Sequence, residues 1–154
     1  PFAETESFVE GVVNAVHGTD DAYGYRHKLT PTSGDVIGFP RRGKRRPGDP
    51  LVEVKHCALA TAELNTLLAE EQPKDDAAPE RRLLLRQGVG ATTTRDQATV
   101  LTQKVRGRLF KHTAASFFQV NPGVTDLLVE HVEREVKKQG NIAYVVDAYC
   151  GVGL

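Results

Sequence analysis

The stretch YVVDAYCGVGL, residues 144–154, decides how the fold of this chain is interpreted, because it joins a short apolar run, an acidic residue and a turn with spaced glycines. This order is typical of an open α/β sheet, in which a buried parallel strand leads into a tight turn and glycines let the backbone approach a ligand. We therefore predict a strand over residues 144–148 and a nucleotide-type site in the turn after it. The residues that would wall this site are Asp147, Tyr149, Gly151 and Gly153. The residues alone leave open an ordinary strand and turn whose glycines serve only the turn.

Composition is typical of a globular protein, with 40% apolar and 26% charged residues. The 20 Lys and Arg residues balance the 20 Asp and Glu residues, so no global field attracts nucleic acid and any basic surface must be local. No apolar run approaches the roughly 20 residues needed to cross a bilayer, and the acidic N-terminus lacks the layout of a signal peptide. The cysteines, Cys57 and Cys150, give no disulfide framework and indicate a reducing compartment. We therefore predict an intracellular protein without membrane association, its compartment (cytoplasm, nucleus or mitochondrion) left open.

Local patterns in the first half of the chain predict helices on either side of a set of short strands. A helix over residues 5–17 would begin with a capping box formed by Ser7 and Glu10. Short β-strands are expected from residue 23 to about residue 57. A second helix is predicted over 61–71, followed by a loop or linker over 71–80. The buried stripe of this second helix would be Leu64, Leu67 and Leu68.

The second half predicts an antiparallel meander followed by another helix. Three segments with strand patterns follow one another: 81–87, 98–105 and 107–113. Residues 116–120 would form a further short strand or extended segment. Asn121 then caps a helix with Pro122 in its first turn, and Gly140 ends it. The apolar face of this helix would comprise Val124, Leu127, Leu128, Val132 and Val136.

Two motifs, SFFQVNPGV (116–124) and VVDAYCGVGL (145–154), are separated by one predicted helix. Together they resemble the RNA (uracil-5-)methyltransferase family, in which the motifs occur in this order. That family has an F-x-Q-x-N element before a helix that leads into a D-x-[YF]-C-G-x-G turn. The resemblance covers most of residues 23–154 and is closest in wording to the tRNA-modifying branch found in eukaryotes. Its upstream part rests on YGYRHKLTP (23–31), DVIGF (35–39), VEVKHCALATAELN (52–65) and GRLFKHTAASFFQVN (107–121).

The resemblance implies an α+β fold with two parts. Residues 1–113 would form the central, antiparallel β-rich domain, which contacts RNA, with 71–80 as a loop or linker within it. Residues 114–154 would be the N-terminal part of a Rossmann-like, S-adenosylmethionine-dependent methyltransferase domain, which we expect to be incomplete. Because the chain has no methionine and begins with proline, we expect it to be a fragment of a longer protein.

The resemblance also implies which residues contact the cofactor. Gln119 matches a glutamine that contacts S-adenosylmethionine, and Tyr149 matches an aromatic position beside it. Asp147, Gly151 and Gly153 complete the set of cofactor-binding candidates. For Gln119, the alternative is a structural residue that bonds nearby backbone at the start of a helix.

The chain is expected to contain no catalytic nucleophile. In the family the nucleophile is a downstream cysteine that adds to C6 of uracil, and it and the base would lie beyond Leu154. Cys150, flanked by glycine, is interpreted as a small packing residue. Some bacterial relatives use a cysteine equivalent to Cys57 in an iron–sulfur cluster, but no cysteine precedes Cys57 here, so no metal site is predicted.

Local basic residues are the candidates for RNA contact. A basic tract follows the segment 35–39, and further cations lie on the strand predicted near residue 26. The RNA-binding candidates are Arg26, Lys28, Arg41, Arg42, Lys44, Arg45 and Arg46. The alternative for the tract is a solvated, charged turn between strands.

We therefore expect a fragment of an enzyme that transfers a methyl group from S-adenosylmethionine to C5 of uridine, with tRNA as the expected partner. We expect the fragment alone to be an inactive monomer. Two other functions stay open: a non-catalytic RNA-binding adaptor that keeps a vestigial cofactor turn, and a methyltransferase that acts on a small molecule or a protein. Salt-sensitive RNA binding distinguishes the last of these from the others.

Overall fold

The computed structural model describes residues 17–41, 49–75 and 78–154, which form antiparallel sheets and two α-helices. The helix predicted over 5–17 lies, except for its last residue, outside the described residues. The strands are β1 (Lys28–Leu29), β2 (Thr32–Ser33), β3 (Ile37–Pro40), β4 (Leu51–Glu53), β5 (Arg81–Arg82), β6 (Leu85–Gln87), β7 (Thr93–Thr94), β8 (Val100–Val105) and β9 (Arg108–Thr113). The helices are α1 (Ala62–Ala69) and α2 (Pro122–Lys138). In the described part of the chain, no helix is long and apolar enough to span a membrane.

The first two sheets meet at a bend that both sheets share. One has the strand order β1-β6-β7 and the other β4-β3-β2-β5, with antiparallel pairing throughout. One segment passes from β1 to β2 at Pro31, and the antiparallel segment paired with it passes from β5 to β6 at Leu83. The Leu83 amide donates to the Pro31 carbonyl at 2.8 Å. Because proline has no N–H to donate, the ladder is interrupted there and the sheet turns a corner.

The core lies where α1 packs against this bent sheet. Thr61 caps the helix, since its side chain accepts a hydrogen bond from the Leu64 amide. The predicted stripe of Leu64, Leu67 and Leu68 is buried, which confirms the prediction for this helix. The main sheet residues that complete the core are Leu29, Ile37, Leu83 and Leu85.

Gly38 allows β3 and β4 to approach each other closely. A Cβ built on Gly38 would lie 2.2 Å from the Val52 carbonyl oxygen. The obstructing atom belongs to the backbone and not to a flexible side chain, so no larger residue fits at position 38 without a shift of the backbone.

The predicted meander is correct for its last two strands and wrong for its first. β8 and β9 form a hairpin whose turn residues, Arg106 and Gly107, have φ values of 45° and 82°, as tight hairpin turns require. The segment predicted as one strand over 81–87 is instead split into β5 and β6, and β6 pairs with β1 and β7 rather than with β8. The reason is the bend at Leu83, which bonds Pro31 and so commits this segment to the first two sheets.

α2 begins as predicted and is fixed to the hairpin at its polar side. The Asn121 side chain accepts a hydrogen bond from the Val124 amide at 3.1 Å. The Asp126 carboxylate accepts one from the Arg106 amide at 2.8 Å, at the tip of the hairpin. The apolar face was predicted correctly as a pattern, but in the described residues it is open to solvent. Its members Val124, Leu127, Leu128 and Val132 are 37–53% exposed.

The strand predicted over residues 144–148 is wrong for this structure. None of these residues pairs with a strand in the described part of the chain, and Tyr144 and Val146 are 90% and 87% exposed. A strand is stabilised by hydrogen bonds to its neighbours, and no neighbour lies beside this segment among the described residues. A Rossmann-like start is therefore not confirmed. The turn after it does have the glycine geometry that the sequence indicated, with φ of 59° at Gly151 and 79° at Gly153.

Candidate functional site

A cleft of about 390 Å³ lies along one side of the bent sheet, and we call it the basic cleft. The residues that define it are Arg26, Lys28, Arg82 and Phe117. Two of these cations, Arg26 and Lys28, were predicted as RNA-binding residues. Phe117 leaves 76% of its surface exposed beside them. A groove that combines cations with an accessible aromatic ring has the chemistry that binds an unpaired nucleic-acid strand.

Backbone and side-chain hydrogen bonds fix the cations of the basic cleft. The Arg26 amide donates to the Leu59 carbonyl at 2.7 Å, and its Nε donates to the Lys28 carbonyl at 2.9 Å. On the other side, Arg82 Nη2 donates to Thr30 Oγ1 at 3.1 Å, across the pairing of β2 with β5. These bonds place cations from distant parts of the sequence on one surface.

The cations of the basic cleft have no carboxylate partner in the described residues. Among the residues that the structure describes, no ion pair links Arg26, Lys28, Arg82 or the neighbouring Arg86 to a carboxylate. Burial lowers the pKa of Lys28, and repulsion from Arg86 and Arg82 lowers it further. Cations that crowd together without a counter-ion repel one another, and a bound anion such as a phosphate relieves that repulsion.

Two histidines lie next to the basic cleft and are held in their neutral form. Burial lowers the pKa of His27 and of His112, and the charge of Arg86 lowers each further. His112 Nδ1 donates to the Thr113 carbonyl at 2.7 Å, and its Nε2 has no partner in the described residues. A positive charge on either ring would face a cation, so both rings are weak bases and stay unprotonated at neutral pH.

The stability of the chain is therefore expected to fall as the pH is lowered through 6.5, the ordinary histidine value. Because the folded-state pKa of His27 and His112 is lowered, the unfolded chain binds protons first below 6.5. The stabilisation that the neutral histidines contribute is complete above that pH, and it is lost as the pH falls toward their folded-state pKa values. Urea unfolding at about pH 7.5 and about pH 5.5 measures it. His112→Gln should reduce the difference between the two pH values, whereas replacement of the exposed His131 should not; an equal difference in both variants would contradict this prediction.

The structure does not bring all cofactor candidates together. Asp147 and Gly153 line a separate cleft of about 940 Å³ between α2, the β8–β9 hairpin and the C-terminal segment. Gln119 lies outside that lining, half-buried before α2, and its amide makes no hydrogen bond in the described part of the chain. Tyr149 and Gly151 are exposed in the turn. The helix that follows Gln119 is capped by the Asn121 side chain.

The predicted basic tract contributes little to what the structure describes. Arg41 is exposed at the end of β3 and does not line the basic cleft. The other members of the tract, Arg42, Lys44, Arg45 and Arg46, lie outside the described residues. Sequence reasoning missed Arg82 and Phe117. Arg82 could not have been found without the pairing of β2 with β5, whereas the doublet Phe117-Phe118 was a usable signal, since neighbouring residues in a short segment rarely share one buried side.

The cysteines do not lie in the basic cleft. Cys57 is half-buried against the core, and its amide donates to Asn65 Oδ1 at 2.8 Å. Cys150 is exposed in the glycine turn. In residues 17–41, 49–75 and 78–154, no group of three or more His, Cys, Asp or Glu side chains is arranged to hold a metal ion.

Two known proteins are similar to this chain, although no family model matches it. A tRNA (uracil(54)-C(5))-methyltransferase of Schizosaccharomyces pombe is 27% identical over 99% of the chain, which covers 33% of that relative. An uncharacterized RNA methyltransferase of Enterococcus faecalis is 40% identical over 34% of the chain, which covers 11% of that protein. The chain thus spans about a third of the length of the first relative and about a ninth of the second. The resemblance that the motifs indicated is confirmed: this chain is similar to part of a tRNA (uracil(54)-C(5))-methyltransferase and to part of an RNA methyltransferase.

Proposed function

We propose that this chain is the RNA-holding part of an enzyme that transfers a methyl group from S-adenosylmethionine to C5 of a uridine in tRNA. The observation that carries the proposal is the basic cleft, whose lining includes Arg26, Lys28 and Arg82 together with the exposed ring of Phe117. The similarity to a tRNA (uracil(54)-C(5))-methyltransferase over nearly the whole chain supports this choice of substrate and position.

The basic cleft would hold RNA whose target base has left its stack. C5 of a stacked uracil is not accessible to an enzyme, so the nucleotide must be extruded, and the distorted strand must be held by its backbone. The three cations would contact phosphates, and Phe117 would offer a face on which a base can stack. Stacking on an aromatic ring is worth about 1–3 kcal/mol per base and does not require a particular sequence.

The cofactor candidates fit S-adenosylmethionine by their chemistry. The Gln119 amide can donate and accept, it has no partner in the described residues, and it precedes the N-terminus of α2. The Asp147 carboxylate can accept from an ammonium group or from ribose hydroxyls, and Tyr149 offers an aromatic ring. When bound, the cofactor supplies an electrophilic methyl group. Gln119 and Asp147 would orient it, and the left-handed backbone at Gly151 and Gly153 would allow close approach.

We assign the covalent chemistry to residues outside this chain. Cys57 lies against the core and Cys150 lies in the exposed turn, and neither lines the basic cleft. The residues of this chain would therefore bind and orient the RNA and the cofactor. The nucleophile and the base are expected in the remaining length that the relatives have and this chain does not.

Gln119→Ala is expected to raise, by about tenfold or more, the S-adenosylmethionine concentration needed for half-maximal methyl transfer, since a hydrogen bond to a charged group contributes about 1.5–3 kcal/mol. Methyl transfer from labelled S-adenosylmethionine to a tRNA transcript measures this in the longest natural protein that contains the sequence. Gln139→Ala, at the exposed end of α2, is the matched control and should change nothing. An unchanged cofactor requirement in Gln119→Ala would remove this residue from the cofactor site.

A second candidate function is a non-catalytic RNA-binding adaptor. It is favoured by one observation: the basic cleft is assembled in this chain, whereas Gln119 and the glycine turn do not share a site. The two functions differ in the longest natural protein. The adaptor binds RNA and does not bind S-adenosylmethionine, whereas the enzyme binds both.

A further inference from the structure

Arg86 is a buried cation that does not line the basic cleft. It lies on β6, in the middle of the first sheet, with 1% of its surface exposed. It pairs across the sheet with Lys28, another cation, and no carboxylate pairs with it in the described residues. Burying an unpaired charge is costly, and the cost indicates that its remaining contacts matter.

The contacts of Arg86 converge on one short segment. Its Nη1 donates to the Ser116 carbonyl and its Nη2 to the Phe118 carbonyl, each at 3.4 Å, while Nε has no partner in the described residues. These two carbonyls stand on either side of Phe117. The planar fork of a guanidinium can hold two such acceptors at a fixed separation, which the single ammonium of lysine cannot do.

The same segment is anchored a second time by Phe118. Its side chain is 3% exposed and stacks on the His112 ring, with a centroid distance of 4.8 Å. The ring of Phe110, on the hairpin, has its centroid 6.4 Å from that of Phe118. Both residues line the basic cleft, but Phe118 is buried against His112, whereas Phe117, its neighbour, is exposed. The backbone bonds of Arg86 add a restraint that acts on both sides of Phe117.

We propose that Arg86 is a positioning residue, which holds residues 116–118 so that the Phe117 ring stands in the basic cleft and stacks on an unpaired RNA base. Arg86 itself would touch no RNA. It would set the strength of the base contact and leave the phosphate contacts of Arg26, Lys28 and Arg82 unchanged. This inference rests on the proposed function, because it requires RNA in the basic cleft.

The chain offers a direct probe, because it contains no tryptophan. Phe117→Trp gives a single tryptophan at the position in question, and a single-stranded oligouridylate is the ligand. In this background, Arg86→Lys keeps the charge and removes the fork. We expect it to weaken oligouridylate binding by about fivefold or more and to reduce the fluorescence change on binding, because stacking is lost. The slope of log affinity against log salt should stay the same, since that slope counts phosphate contacts.

Arg82→Ala in the same background is the matched control. It should reduce the slope of log affinity against log salt by the contribution of about one phosphate contact. The fluorescence change at saturation should stay the same. Acrylamide quenching without RNA supplies a second readout, and it should be stronger in Arg86→Lys than in the parent because the ring is less restrained.

The outcomes separate this inference from the proposed function. If the parent chain binds no oligouridylate, the proposed function fails. If it binds and Arg86→Lys has an unchanged affinity and fluorescence change, only the positioning role of Arg86 is refuted. If Arg86→Lys and Arg86→Gln both fail to fold in thermal melts, Arg86 is a structural residue and the proposal is overturned.

Discussion

Leu85→Ala is expected to lower the free energy of unfolding by about 2–5 kcal/mol, the usual cost of removing a buried leucine side chain and leaving a cavity. Leu85 lies in the central strand of the first sheet and has 0% of its surface exposed. It belongs to the cluster in which α1 meets the sheet, including Leu64 and Leu29. Since a whole domain is stable by only about 5–15 kcal/mol, this change removes a large part of the margin.

Urea unfolding measures this loss, with Leu109→Ala as the matched control. Leu109 lies in β9 and is 66% exposed, so the same deletion there should cost less than about 0.5 kcal/mol. Equal losses in both variants would show that the packing of α1 on the bent sheet is not the main source of stability.

Replacing Arg26, Lys28 and Arg82 together by alanine is expected to abolish most RNA binding at physiological salt. Each phosphate contact contributes about 0.7–0.9 to the slope of log affinity against log salt, so the slope should fall by about two units. The cations have no carboxylate partners in the described residues, and the fold therefore loses no ion pair. Relief of the repulsion around Lys28 should leave the melting temperature unchanged or slightly raised.

Fluorescence anisotropy of a labelled oligouridylate, measured over a range of salt concentrations, gives the slope. The control variant replaces Lys55, Lys104 and Lys111 together by alanine and so removes the same charge. These lysines are exposed and do not line the basic cleft. It should weaken binding only through net charge, with a slope close to that of the unchanged chain. If both triple variants bind equally well, RNA does not occupy the basic cleft.

Local signals in the sequence predicted α1 and α2 well, because each of these two helices carries its own start and periodicity. Thr61 and Asn121 cap α1 and α2 as their residue types indicate, and Gly107 marks the hairpin turn. Such features depend on residues three or four positions apart. They could therefore be found before any tertiary contact was known.

The features that failed depend on partners far along the chain. β6 joins β1 rather than β8 because of a bond between Leu83 and Pro31, and the 144–148 segment lacks a neighbouring strand in the described residues. The basic cleft has the same origin. Arg82 meets Thr30 across 52 positions of sequence, so its place beside Lys28 could not be predicted from spacing. By contrast, Arg26 and Lys28 were predicted as RNA contacts because they are cations on the strand next to the basic tract.

The fate of the hydrogen at C5 of uridine tests the proposed function directly. A tRNA transcript labelled with tritium at C5 of its uridines is incubated with the longest natural protein that contains this sequence, with and without S-adenosylmethionine. Release of tritium into water that requires S-adenosylmethionine, and that the Arg26, Lys28 and Arg82 triple variant loses, is the predicted result. Methyl transfer to tRNA without release of tritium, or release that does not depend on the basic cleft, would contradict it.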